Sequence, residues 1–80
     1  MPGRIIEQKS LSDLLLAVVD FIDNGNPKKL NSCPEGERVK NVYFRQTSLL
    51  KDLEALPAAI KLLALAGIAR LDQDKLIRLN

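Results

Sequence analysis

Five of the chain's twelve basic residues, Lys28, Lys29, Arg38, Lys40 and Arg45, fall within one eighteen-residue stretch, opposed there only by Glu35 and Glu37. Such a cluster is either a solvated face or a local positive field that attracts acidic peptides or phosphates. Tyr43 and Phe44 stand beside it and can supply an apolar pocket wall, although a residue of Phe44's type favours the core. Other residues with chemical potential are fewer. Asp72 and Asp74 are neighbouring carboxylates, but a catalytic pair needs a pocket that separates their pKa values. Flanking Gln73, they read instead as turn residues. Cys33 becomes a reactive thiol only if Lys28, Lys29 or Arg38 lowers its pKa. A structural or incidental cysteine is the plainer reading. The chain has no histidine, so a Ser–His–Asp or Cys–His site is impossible, as is any metal site that uses histidine. An enzyme is therefore not expected, and neither is a cofactor.

Eighty residues make one domain. A chain of this length buries roughly 60% of its unfolded surface and folds with little margin. Apolar residues at 46% and charged residues at 28% fit a folded globular domain rather than a disordered chain. A net charge of +2 is too small to argue for nucleic acid alone. One cysteine cannot close an internal disulfide, so nothing points to secretion. The longest strictly apolar run, Leu14 to Val19, is far short of the ~20 residues that span a bilayer. The first residues lack the form of a signal peptide. The expectation is a cytoplasmic or nuclear protein with no membrane partner.

The elements that must position the basic cluster follow from periodicity. Met1 to Lys9 shows no clear period and reads as a loose end or a short first turn. Ser10 or Ser12 can cap a helix. Leu11, Leu14, Leu15, Val18 and Ile22 then recur at helical spacing, and Leu16, Val19 and Phe21 widen the apolar stripe. Asn24-Gly25-Asn26-Pro27 ends that helix. Lys28 to Glu37 reads as a loop. Arg38 to Phe44, β-branched and aromatic, fits a short strand with Val42 and Phe44 on one face. Thr47 or Ser48 can cap a helix over Leu49 to Leu56. Pro57 opens a third helix, closed by Gly67 in the left-handed conformation. Two strands follow, separated by Asp72-Gln73-Asp74, with Leu71, Ile77 and Leu79 inward and Arg70 and Arg78 outward. The expected fold is a small α+β domain whose short three-stranded antiparallel sheet lies against helices.

Two stretches carry a family resemblance. Ser12-Asp-Leu-Leu-Leu-Ala-Val-Val-Asp-Phe-Ile-Asp-Asn-Gly-Asn26-Pro27 resembles the apolar helix ending in Asn-Pro of the PUB (or PUG) domain. That domain occurs in peptide:N-glycanase, UBX-domain cofactors and a linear-ubiquitin ligase. Ala58 to Ile68 is similar to the family's late helix, opened by a small pair and closed by glycine. The family pattern lies along Arg38 to Leu79 without a gap, at low identity. The resemblance implies a non-enzymatic module that binds an acidic, aromatic-containing tail, that of the AAA ATPase valosin-containing protein being the family example. It places the pocket at Arg38 to Leu49. There Arg38, Lys40 and Arg45 would attract acids. Gln46 and Thr47 would bind tail backbone or a side-chain acid, and Tyr43 or Leu49 would line an apolar slot.

The chain departs from the family in four places. About seven extra residues follow Asn26-Pro27. The family's Lys-aromatic-Arg becomes Arg38-Val39-Lys40. Its pocket asparagine falls on Gln46, and the following phenylalanine on Leu49. The runner-up is a winged-helix domain for nucleic-acid or transcription-complex binding, which shares the order of elements. Its groove-entering helix would be Pro57 to Ala66. That helix has one charge, Lys61, and none of the Arg, Asn, Gln or Ser side chains that read base edges.

Overall fold

In a computed structural model, the backbone of residues 2–79 and the side chains of residues 11–79 are described. In chain order the elements are α1 (Pro2–Asn24), α2 (Lys28–Asn31), α3 (Gly36–Arg45), α4 (Thr47–Leu50), α5 (Ala55–Leu65), β1 (Ala69–Asp72) and β2 (Lys75–Arg78). The domain is α+β. Among the described residues it has five helices and one two-stranded antiparallel sheet, not three strands.

Helix α1 starts at Pro2, so it takes in the segment expected to be loose and runs past the caps expected at Ser10 or Ser12. Leu11, Leu14, Ala17, Val18 and Phe21 are buried along it, a stripe at helical spacing that packs on α5 and α2. The stripe is narrower than the run of apolar residues suggests. Leu16 is 65% exposed, on the side of the helix that carries Asp13 and Asp20. Gly25, at φ +70°, ends the helix and donates its N–H to the Phe21 carbonyl at 3.0 Å. The Asn26 side-chain oxygen then accepts the Lys28 N–H at 3.1 Å and turns the chain into α2.

The stretch expected as a loop contains α2, held by the fully buried Leu30. Gly36, the first residue of α3, lies against that leucine. A Cβ there would sit 1.9 Å from the Leu30 carbonyl oxygen. Only glycine permits the close approach of the two helices.

Arg38 to Phe44 is helix, not strand. The buried residues of α3 are Gly36, Val39 and Val42, spaced by three, and Phe44 is exposed. Alternation of Val42 with Phe44 therefore misread the period. The β-branched residues are two core contacts on a helix otherwise rich in charged side chains that favour helix. The helix packs on α5 and α2.

Thr47 does not cap α4. Its hydroxyl points back and donates to the Tyr43 carbonyl at 2.8 Å, while the N-cap residue, Gln46, makes no side-chain cap bond. Helix α4 ends at Leu50 rather than Leu56, and a turn leads to α5. There Pro57 is the third residue, still within the first turn, where its missing N–H costs no intrahelical bond.

The end of α5 matches the sequence reading closely. Gly67 has φ +72°, its N–H reaches the Ala64 carbonyl, and the Ile68 N–H reaches the Leu63 carbonyl, each at 3.0 Å. This is a Schellman cap, with buried Ile68 and Leu63 as its apolar contact. The chain enters β1 directly. Arg70 pairs with Ile77, Leu71 with Leu76 and Asp72 with Lys75 around a two-residue turn, Gln73-Asp74, both at positive φ. The phase of β2 is opposite to the expected one. Leu76 packs on the core and Arg78 is half-buried, whereas Ile77 and Leu79 are 36% and 39% exposed. A one-residue slip in register exchanges the faces of a strand. Arg70 is outward, as expected, and Leu71 is exposed near the tip.

Candidate functional site

The helical conformation of residues 36–45 redistributes the basic cluster. Arg38, Asn41 and Arg45, at i, i+3 and i+7, project from one face of α3, and all three are exposed. With Pro34, Glu35 and Glu37 they line one shallow cavity of about 470 Å³. Neither arginine has an ion-pair or hydrogen-bond partner among the described residues. Both guanidinium groups are available to a carboxylate in bidentate geometry.

Lys40 does not join them. It turns toward α2, where its Nζ donates to Asn31 Oδ1 at 2.5 Å and lies 3.8 Å from Glu37. On a strand it would have shared a face with Arg38. On a helix, two residues' separation puts it on another side.

Tyr43 and Phe44 form an aromatic triad with Phe21. Ring centroids are 5.0 Å apart for Phe21–Tyr43, 6.2 Å for Phe21–Phe44 and 5.5 Å for Tyr43–Phe44, all edge-to-face. Phe21 is buried, Tyr43 half-buried and Phe44 66% exposed. The exposed aromatic of α3 is thus Phe44, which sequence reasoning assigned to the core. Its helical position, one turn from Asn41 and next to Arg45, was the signal that a strand reading hid.

Gln46 sits in the break between α3 and α4. Its backbone N–H is shared between the Val42 and Tyr43 carbonyls at 2.9 and 3.1 Å. Its half-buried side chain makes no hydrogen bond among the described residues. The Thr47 hydroxyl is engaged with the end of α3. Leu49 is 53% exposed on α4. Of the seven residues expected to bind a peptide, Arg38 and Arg45 converge on one cavity. Tyr43 instead faces a second, more apolar groove formed by α1, α4 and α5.

Cys33 lies at a cavity of about 450 Å³ between α1 and the α2–α3 link, with Asp13, Leu16, Lys29 and Glu35. Its thiol is 3.4 Å from the Lys29 carbonyl, to which it donates. Burial, then the charges of Asp13 and Glu35, push its pKa up. The idea of a thiol activated by neighbouring lysines is overturned, because burial and the acidic charges of Asp13 and Glu35 raise its pKa rather than lower it. Asp72 and Asp74 are exposed at the hairpin tip, and no cluster of three metal-ligating side chains occurs among the described residues. No described helix is long and apolar enough to cross a membrane.

No family model, curated protein or solved structure matches this chain.

Proposed function

We propose that the chain is a non-enzymatic peptide-docking module with a PUB-like fold, and that its docking surface is the exposed face of α3. The observation that carries this reading is the convergence of Arg38, Asn41 and Arg45 on one open cavity, with exposed Phe44 on the same helix. The two arginines bind acidic side chains or a terminal carboxylate. Asn41 donates to or accepts from the peptide backbone. Phe44 offers an edge or face to an aromatic side chain, worth about 1 kcal/mol beyond area burial. The favoured ligand is an acidic segment that contains an aromatic residue, such as the C-terminal tail of valosin-containing protein.

Support for the PUB-like assignment comes from the helix that ends at Asn24-Gly25, just before Asn26-Pro27, and from the late helix that closes at Gly67 into a hairpin. A winged-helix module for nucleic acid is the weaker reading. The exposed part of α5 offers Leu56, Pro57, Lys61, Ala64 and Leu65, which gives one cation and no base-reading amide.

The deciding experiment titrates the tail peptide of valosin-containing protein into labelled protein and follows backbone amides. Shifts centred on residues 38–45, lost in Arg38→Glu and Arg45→Glu, support the reading. An unresponsive α3 at millimolar peptide removes it.

A further inference from the structure

On the other side of Tyr43 lies a groove of about 740 Å³, formed where the end of α1 meets the α4–α5 turn. Seven of its ten lining residues are apolar, among them Val19 and Ile22 from α1 and Leu53 and Leu56 from the turn and α5. Leu50 is buried at its floor, whereas Leu53 and Leu56 are 39% and 51% exposed. Packing within the domain has left these leucines partly uncovered. Grouped on a concave surface, exposed aliphatic side chains of this kind mark an interaction site more often than scattered ones do.

The polar lining residues indicate the chemistry of the occupant. Two carboxylates, Asp23 and Glu54, stand against one ammonium, Lys51. All three side chains are exposed, and none has an ion-pair or hydrogen-bond partner among the described residues. The groove is therefore apolar within and negative at its rim, opposite in sign to the α3 face.

We infer that this groove docks a segment of a partner protein that carries adjacent aliphatic side chains flanked by lysine or arginine. The aliphatic side chains occupy the space over Leu50 between Ile22 and Leu56. The flanking cation sits between Asp23 and Glu54. Electrostatic complementarity of this type selects the partner and speeds its arrival, while the apolar contact holds it. The inference does not depend on what binds α3, since the two surfaces differ in residues and in charge.

The probe is a capped peptide of alternating leucine and arginine pairs, tested beside the same peptide with glutamate replacing arginine. Labelled protein is titrated with each, and backbone amides are followed. The arginine peptide is expected to shift Val19, Ile22, Leu53 and Leu56, with affinity falling about tenfold in Asp23→Lys/Glu54→Lys and as salt rises. Leu56→Glu, at a half-exposed position, is expected to abolish the shifts while leaving the thermal transition in place. Equal binding of the two peptides, or shifts elsewhere in the domain, overturns the proposal. So does sedimentation that finds dimers dissolved by Leu56→Glu, which assigns the groove to a second copy of the chain.

Discussion

Arg78 and Glu35, separated by 43 residues, meet in a two-pronged ion pair, Nη1 to Oε2 at 2.5 Å and Nη2 to Oε1 at 3.4 Å. Each side chain is 24% exposed. The pair fastens β2 to the residue that precedes α3, so the hairpin and the basic helix are held in one frame. Exposed ion pairs contribute little, but forked geometry and partial burial raise the value to about 1–2 kcal/mol. Arg78→Met and Glu35→Gln are each expected to lower stability by that amount. Removal of both is expected to cost less than the two single losses combined. Urea denaturation of the four-member cycle measures the coupling, and strict additivity contradicts it.

Gly36→Ala is expected to be the most damaging single-methyl change in the domain. The added carbon meets the Leu30 carbonyl oxygen at 1.9 Å, a backbone atom that moves only if α2 moves. Overpacking of this severity costs about 3 kcal/mol or more, a large share of the stability of an eighty-residue chain. A melting temperature within a few degrees of the parent would show that α2 yields readily.

The hairpin turn, in contrast, has room for improvement. Gln73 and Asp74 both hold positive φ without being glycine, and the left-handed region costs an ordinary residue roughly 1 kcal/mol. Two-residue turns of this type favour Asn-Gly. Gln73→Asn with Asp74→Gly is expected to raise stability by about 1 kcal/mol, read as a higher urea midpoint with unchanged slope. A neutral result would mean that the turn contributes no strain.

Cys33 predicts a pH effect. Burial, with Asp13 and Glu35 adding to it, raises the folded thiol's pKa above its ordinary value. The unfolded chain therefore releases its proton first as pH rises. Stability is constant below the unfolded thiol's pKa and falls between that value and the raised folded one. Cys33→Ser is expected to flatten this alkaline decline. Iodoacetamide is expected to label the folded chain more slowly than the denatured chain at neutral pH, and equal rates would refute a shielded thiol.

Binding and stability are separable at the aromatic triad. Phe44→Ala removes a largely exposed ring and is expected to cost less than about 1 kcal/mol of stability while weakening peptide binding at α3 by about tenfold. Tyr43→Ala removes the ring closest to buried Phe21 and is expected to lower the melting temperature more. The reverse order of stability losses would mean that Phe44 belongs to the core.

The parts of the fold legible in the sequence are those set by local backbone rules. Gly25 and Gly67 end their helices by conformations that glycine adopts cheaply, and Asp72 to Lys75 closes the hairpin. These signals need no tertiary information. The Arg38–Phe44 segment reads as a strand because its two valines and two aromatics outweigh Arg38 and Lys40, the only strong helix formers in it. What resolves it is the spacing of Gly36, Val39 and Val42, and Gly36 acquires meaning only once Leu30 lies against it. The same error scattered the candidate site. Arg38 and Arg45 stay together because seven residues, nearly two full turns, bring them back to one face of the helix. Lys40 was lost to Asn31, a partner nine residues away, and Phe44 was assigned inward because strand alternation placed it there. The phase of β2 was hidden for a related reason: an inward arginine is credible only when its partner, Glu35, is known to be waiting.

The chain has one tyrosine and no tryptophan, and that tyrosine stands between the two surfaces. Tyr43 touches Phe44 on the basic side and lines the acidic-rimmed groove on the other. Its emission therefore comes from a single fluorophore with a known address. Quenching or recovery on adding a ligand reports occupancy at either neighbour without a label, and the Phe44 and Leu56 variants tell which side was filled. A ligand on one side that changes the ring's response to a ligand on the other would turn this residue into a gauge of communication between them.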